Sequence, residues 1–104
     1  MDIATFREMV KKHPNGFLGR YGLGHKLLQE GGDLNEAVEH LRVAIQIDPV
    51  HVASYYALGR ALMGLGRTDE ARPILQSGID AALSGRSSGG VDLVPDMKRL
   101  LETR

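Results

Sequence analysis

The sequence predicts an all-α fold built from antiparallel helical hairpins. Apolar residues recur at helical spacing, as Val38, Leu41, Ala44 and Ile45 do, and no stretch alternates polar with apolar residues for long. Aromatic residues, which are enriched in strands, make up only 5% of the chain. Small and apolar residues also recur with a period of 34 or 35 residues, which is typical of a helical repeat array.

The internal repeat is visible in matched pairs of residues. Leu23 and Gly24 recur 35 residues later as Leu58 and Gly59. Matches 34 residues apart join Glu36 to Glu70, Ala37 to Ala71, Leu41 to Leu75 and Ala44 to Gly78. The one-residue difference comes from the turns, because the first turn contains one glycine more than the second.

Six helices are predicted, at about residues 2–12, 17–30, 34–47, 52–65, 68–83 and 94–103. Asp33 followed by Glu36 resembles a capping box at the start of the third helix. Pro95 suits the first turn of the last helix. Pro73 falls near the end of the first turn of the fifth helix, which is therefore expected to start late or to bend.

The matched residues resemble the signature of the tetratricopeptide repeat (TPR), which is W-x2-L-G-x2-Y, then A-x3-F, then P. Arg20 stands where the first repeat should have a large aromatic residue, and Leu83 stands where the second should have proline. The first repeat matches at Arg20, Leu23, Gly24, Leu27, Ala37, Leu41 and Pro49. The second matches at Tyr55, Leu58, Gly59, Leu62, Ala71 and Leu75.

The resemblance implies a single TPR domain over residues 1–104, folded as a right-handed α-solenoid of antiparallel helix-turn-helix units. Phe6, Met9 and Pro14 lie 35 residues before Leu41, Ala44 and Pro49, so the N-terminal segment is expected to be the second helix of a half repeat. The expected divisions are a half repeat at 1–14, full repeats at 17–49 and 52–83, a linker at 84–92 and a capping helix at 93–104.

The composition excludes several classes of function. The 104 residues suit one small domain, and 13 basic residues balance 13 acidic ones, which gives no sign of nucleic-acid or anionic-membrane binding. Cysteine is absent, so disulfides and thiolate metal sites are excluded. No apolar run approaches the roughly 20 residues that span a bilayer, and the N-terminus lacks a signal-peptide pattern. We therefore expect a soluble, cytoplasmic protein.

The stretch GRALMGLGRT at residues 59–68 superficially looks like a phosphate-binding loop. That motif needs a lysine directly after its second glycine, where this chain has Leu65, and it must follow a strand. The residues before Gly59 fit a helix instead. The histidines, at positions 13, 25, 40 and 51, are never three or four apart, so no helix presents two of them to a metal. His13 and His51 lie beside turns and are expected to be solvated.

No catalytic constellation is evident, so we expect no enzymatic activity and no cofactor. The carboxylates at positions 33, 36, 69 and 70 crowd helix starts, where they favour the positive end of the helix dipole. Ser84, Ser87 and Ser88 lie in the glycine-rich linker with no histidine near them in sequence.

The family resemblance implies a concave surface lined by the first helix of each repeat, where a peptide or helix of a partner protein binds. Carried over by position, the candidate binding residues are Leu18, Tyr21, His25, Leu28, Gln29, Ala53, Tyr56, Arg60 and Met63. Tyr21 and His25 stand at two positions where the family's carboxylate-clamping members have lysine or asparagine, which argues against that mode.

Other interpretations remain open for the same residues. Tyr21 and Tyr56 could simply cover a neighbouring helix, and Leu28 and Met63 could belong to the core. Two other functions are a homodimer formed through the ends of the array and a groove closed by the chain's own last helix. The packing of its apolar stripe discriminates between them, and that stripe comprises Leu93, Met97, Leu100 and Leu101.

Overall fold

A computed structural model describes residues 1–87 and 89–102. The described residues form helices and turns without a strand. Residue 88 of the predicted linker and residues 103–104 of the predicted last helix lie outside the described part. The helices are α1 (Ile3–Lys12), α2 (Phe17–Gln29), α3 (Leu34–Ile47), α4 (Val52–Gly64), α5 (Thr68–Leu83) and α6 (Val94–Leu101), with a 3-10 turn at Val91–Leu93 before α6.

The helices pack as a linear array of neighbours. Helices α2 and α3 form one hairpin, and α4 and α5 form the next. The contacts between the two helices of each hairpin are the most extensive between any described helices. Helix α1 packs on α2, α3 packs on α4, and α6 packs on α5. The all-helical repeat architecture predicted from the sequence is confirmed.

A glycine at the centre of each hairpin lets its two helices approach closely. A Cβ atom placed on Gly59 would lie 2.4 Å from Cδ2 of Leu75, and one on Gly24 would lie 2.6 Å from Cγ of Leu41. Leu41 and Leu75 are both fully buried. The Leu-Gly pair of each repeat is therefore a steric requirement of the hairpin, because any larger side chain would overlap a core leucine.

The turn after α4 explains the last glycine of the GRALMGLGRT stretch. Gly66 has a φ of +74°, which favours glycine. The N–H of Arg67 donates to the carbonyl of Leu62 at 2.8 Å, and the N–H of Gly66 donates to that of Met63 at 2.9 Å. These two bonds define a Schellman motif that ends the helix. The first repeat ends α2 in the same way, with Gly31, Gly32, Leu27 and Leu28.

The capping box predicted at α3 is only half formed. The Asp33 carboxylate accepts hydrogen bonds from the N–H groups of Asn35 and Glu36, at 2.9 and 3.3 Å. The Glu36 side chain does not reach back to the cap. It accepts a two-pronged hydrogen bond from the guanidinium of Arg7 and contacts His40 Nε2 at 3.3 Å. Glu36 thus ties α1 to α3, and Arg7 and His40 hold the pKa of its carboxyl below the ordinary value.

Arg20 performs the structural task of the aromatic residue that it replaces. Tyr55 of the second repeat donates its hydroxyl to the carbonyl of Pro49 at 2.7 Å. At the equivalent position of the first repeat, Arg20 Nε donates to the carbonyl of Pro14, also at 2.7 Å. Both side chains therefore donate a hydrogen bond to a carbonyl in the turn before their own helix. The donor is a guanidinium in the first repeat and a hydroxyl in the second.

The expectation of a late start for α5 is wrong. The helix begins at Thr68, five residues before Pro73, and continues to Leu83. Proline cannot donate to the carbonyl four residues before it, which belongs to Asp69. Asp69 and Pro73 are both exposed, so water can satisfy that carbonyl.

Helix α6 packs on α5 through the apolar stripe seen in the sequence. Met97 is fully buried and shares a core cluster with Leu75, Ile79 and Ala82. The Arg72 guanidinium also donates to the carbonyl of Leu101 at 2.8 Å. A helix that closed the groove would instead point at Tyr21 and Tyr56. Tyr56 and Met63 pack against the core cluster that contains Met97, whereas Tyr21 packs against the other core cluster. Helix α6 therefore packs mainly on α5, and its role as a cap stays a prediction.

Replacing Gly59 with alanine should destabilise the fold by about 1 kcal/mol or more. The added methyl group overlaps Leu75, and this overpacking outweighs the gain in helix propensity. Urea unfolding followed by circular dichroism measures the effect. In a Leu75→Ala background the same substitution should cost nothing, and an equal cost in both backgrounds would contradict the proposed overlap.

Replacing Met97 with alanine should lower the free energy of unfolding by about 2–5 kcal/mol, because it leaves a cavity in a fully buried site. The neighbouring Lys98 is exposed, so Lys98→Ala is the matched control and should change stability by less than about 0.5 kcal/mol. Similar midpoints for the two variants in urea unfolding would show that α6 contributes little to the fold.

Candidate functional site

The candidate binding residues fall into rows across the first helices of the two hairpins. Helices α2 and α4 contact each other directly, and the repeat offset of 35 relates their positions one to one. We use the name concave face for four such rows. They are Leu18 with Ala53, Tyr21 with Tyr56, His25 with Arg60, and Leu28 with Met63. None of these eight residues is fully buried.

Four rings form a packed aromatic cluster at one side of this face. The Tyr21 ring stacks on Phe17, with centroids 5.7 Å apart, and on His25, with centroids 5.4 Å apart. His51 meets both Tyr21 and Phe17 edge-on, with centroids 4.8 Å apart in each case. The cluster joins α2 to the start of α4 and restrains the Tyr21 side chain between neighbours on both helices.

Phe17 and His51 belong to this cluster although the sequence prediction left them out. Phe17 lies four residues before Tyr21, as Tyr21 lies four before His25, so this spacing on one helix face could have revealed it. The expectation that His51 is simply solvated is wrong. Its imidazole is half-buried against Phe17 and Tyr21, because the packing of α4 on α2 brings it there.

Arg60 is the exposed cation of the face. Its guanidinium carbon lies 5.4 Å from the centroid of the Tyr56 ring, within the range of a cation–π interaction. Within residues 1–87 and 89–102, Arg60 forms no ion pair. The ring beneath it holds the guanidinium in place and leaves its N–H donors open to solvent.

The two histidines of the cluster resist protonation. Burial lowers the pKa of His25, and the positive charges of Arg60 and Lys26 lower it further. Burial also lowers the pKa of His51, partly opposed by Asp48. The folded protein therefore binds fewer protons than the unfolded chain just below the ordinary histidine pKa of 6.5, and stability is lost as the pH falls through that region.

The outer rows of the face differ in exposure. Leu18 is 54% exposed, and Gln29 and Arg60 are also exposed. Leu28 and Met63 are half-buried and pack against the core, so the simpler interpretation as core residues holds for part of each side chain. The face therefore offers most apolar contact area at the Leu18 end and most polar groups near Arg60.

The hydrogen bond between His51 Nδ1 and Ser54 Oγ, 2.8 Å long, is the contact most similar to a nucleophile–base pair. Ser54 is fully buried, so a substrate in solution could not reach its hydroxyl. The depression beside His51 has a volume of about 220 Å³, below the range usual for small-molecule sites. The described residues include no group of three His, Cys, Asp or Glu side chains placed to bind a metal.

Comparison with known proteins identifies the family. A family model described as tetratricopeptide repeat matches residues 27–84, which is more than half of the chain. The sequence is also 30% identical over 105 positions to a TPR repeat-containing protein of Pseudomonas aeruginosa, covering 100% of this chain and 99% of that relative. The chain belongs to the tetratricopeptide-repeat family. TPR repeats generally mediate protein–protein interactions, which makes recognition of another protein the general role of this TPR domain.

The match to the family model begins at Leu27 and so leaves out α1 and most of α2. The omitted part of α2 contains Arg20, which departs from the signature. The similarity to the Pseudomonas aeruginosa relative extends over α1 and α2. None of the helices in the described part of this TPR domain is long and apolar enough to cross a membrane.

Replacing Arg60 with glutamine should raise the pKa of His25, because it removes a positive charge that disfavours the imidazolium. An NMR titration of the histidine Cε1–H signals measures the pKa of His25. Arg42, which pairs with Glu70 on the other side of the array, supplies the control, and Arg42→Gln should leave His25 unchanged. An unchanged pKa in the Arg60 variant would show that burial and Lys26 lower the pKa of His25 without a contribution from Arg60.

Proposed function

We propose that this TPR domain is a non-catalytic scaffold that binds a peptide or a helix of a partner protein along its concave face. The residues proposed to contact the partner are Leu18, Tyr21, His25, Leu28, Gln29, Ala53, Tyr56, Arg60 and Met63, with Phe17 and His51 supporting Tyr21. The observation that carries this proposal is the tyrosine row, which is half-buried and braced by neighbouring rings and by Arg60.

The bracing of the tyrosine row is favourable for binding energy. Tyrosine and arginine are enriched among the residues that dominate protein interfaces, because they bury a large area with few rotatable bonds. Tyr21 is already restrained by Phe17, His25 and His51, and Tyr56 by the guanidinium of Arg60. Binding of a partner would therefore cost little additional side-chain entropy in these residues of the domain.

The ends of the array are less suited to binding another copy of the chain. Helix α1 exposes Thr5, Glu8, Lys11 and Lys12, α6 exposes Lys98 and Arg99, and the exposed Glu102 follows α6 directly. Such polar outer faces are typical of the terminal units of repeat proteins and disfavour end-to-end stacking. We therefore favour recognition of a different protein over the homodimer, and light scattering should give the mass of a monomer.

The tyrosine row is tested by changing Tyr21 and Tyr56 together to alanine. Peptides selected on the wild-type domain from a random library displayed on phage should bind the double variant roughly thirtyfold more weakly or worse, since the loss of even one anchor of about 2 kcal/mol has that effect. Isothermal titration calorimetry measures the affinities.

The control is Leu83→Ala, at an exposed apolar residue of α5 outside the concave face. It should leave peptide binding unchanged, and circular dichroism should show native helicity for all variants. Unchanged peptide affinity in a folded double variant would contradict the proposed binding face.

A further inference from the structure

Charge is unevenly distributed between α2 and α4, which are the first helices of the two hairpins, and the other helices. The whole chain has no net charge. Helices α2 and α4 nevertheless contain three basic residues, Arg20, Lys26 and Arg60, and no aspartate or glutamate. The acidic residues lie instead on α1, α3, α5 and α6 and in the turns. The concave face is therefore lined by the two helices that carry positive charge alone.

Arg60 differs from Arg7, Arg42 and Arg67 in what surrounds its guanidinium. Arg7 pairs with Glu36, Arg42 pairs with Glu70, and Arg67 pairs with Glu70 as well. Arg60 has the Tyr56 ring on one side, and within the described residues no carboxylate lies close enough to pair with it. Since arginine binds carboxylates through two parallel N–H donors, this guanidinium is held ready for an acidic group from outside the chain.

His25 extends the same positively charged region. It occupies the same row as Arg60, and the charges that act on its imidazole come from Arg60 on α4 and Lys26 on α2. Lys26 itself is 3.7 Å from Glu30 in the following turn. Tyr21 covers one face of the imidazole, and His51 lies against the Tyr21 ring from α4. No acidic group is among those that act on His25.

We infer that the partner binds through an acidic segment, with a carboxylate side chain paired to Arg60 and lying against His25, and with apolar side chains on Tyr21, Tyr56 and Leu18. This inference rests on the proposed function, because it names the chemistry of the partner at the same face. The electroneutral chain and Arg60, which has no ion-pair partner among the described residues, fit a peptide carboxylate better than nucleic acid, which needs several phosphate contacts.

A carboxylate at this row couples binding to the protonation of His25. Positive neighbours and burial disfavour the imidazolium in the free domain, and a bound anion would offset them. The bound domain would then take up a proton that the free domain does not. Affinity for an acidic peptide should therefore rise as the pH falls from 8 towards 6, where aspartate and glutamate remain ionised.

The direct experiment is selection from a random peptide library displayed on phage, performed on the wild-type domain and on Arg60→Gln. Peptides selected on the wild type should be enriched in aspartate and glutamate, and this enrichment should disappear with Arg60→Gln. For the best acidic peptide, Arg60→Gln should weaken binding roughly tenfold or more, whereas Arg42→Gln should leave it unchanged.

The outcomes separate the two proposals. The selected peptides could lose affinity in the double variant Tyr21→Ala with Tyr56→Ala and yet show no excess of acidic residues. That result would support the proposed binding face and contradict the inference that the partner segment is acidic. Peptides rich in lysine and arginine would also overturn it. If no peptide depends on the two tyrosines, both the proposed function and this inference fail.

The pH dependence supplies an independent measurement. Calorimetry at pH 6 and pH 8 should show tighter binding of the acidic peptide at pH 6, together with proton uptake that depends on the buffer. In His25→Gln the pH dependence should be lost, because glutamine does not titrate between pH 6 and pH 8. Equal affinity at both pH values in the wild type would exclude His25 from the carboxylate site.

Discussion

The close contact between a glycine on the first helix of each hairpin and a buried leucine on the second is the constraint on which the structure depends. At Gly24 and Gly59 any side chain would overlap Leu41 or Leu75. These contacts bring the two helices of each hairpin close together, and the core closes around leucines that are fully buried. Because both hairpins use the same contact at equivalent positions, they stack in a regular array.

That regularity creates the concave face. Stacking two equivalent hairpins places α2 beside α4 in register, so residues 35 apart fall into rows. Two tyrosines form one row, and a histidine and an arginine form the next. The close packing of rings around Tyr21 and the guanidinium over Tyr56 make the surface ordered before any partner arrives. The absence of acidic residues from both helices gives that surface its charge.

The array accommodates departures from the repeat signature by conserving interactions rather than residue types. Arg20 has no aromatic ring, yet it reaches the same carbonyl in its turn that Tyr55 reaches with a hydroxyl. Glu36 follows its cap residue at the spacing of a capping box, yet its carboxylate binds Arg7 and His40. The ion pair with Arg7 joins α1 to the hairpin formed by α2 and α3.

The sequence by itself determined the helices, because helical periodicity, turn glycines and the 34- to 35-residue repeat are local or regularly spaced signals. All six predicted helices are present, and the residues proposed for the concave face follow from their position in the repeat. Tertiary structure alone decided which partners those residues have. The His51 ring contacts Tyr21, and the Glu36 carboxylate binds Arg7. In the described part of the chain, Arg60 lies over Tyr56 without an acidic partner. The contacts of His51 and Glu36 cross between helices distant in sequence, and whether Arg60 has an acidic partner depends on every helix packed nearby. Periodicity shows which face a side chain occupies, whereas helix packing determines what it meets there.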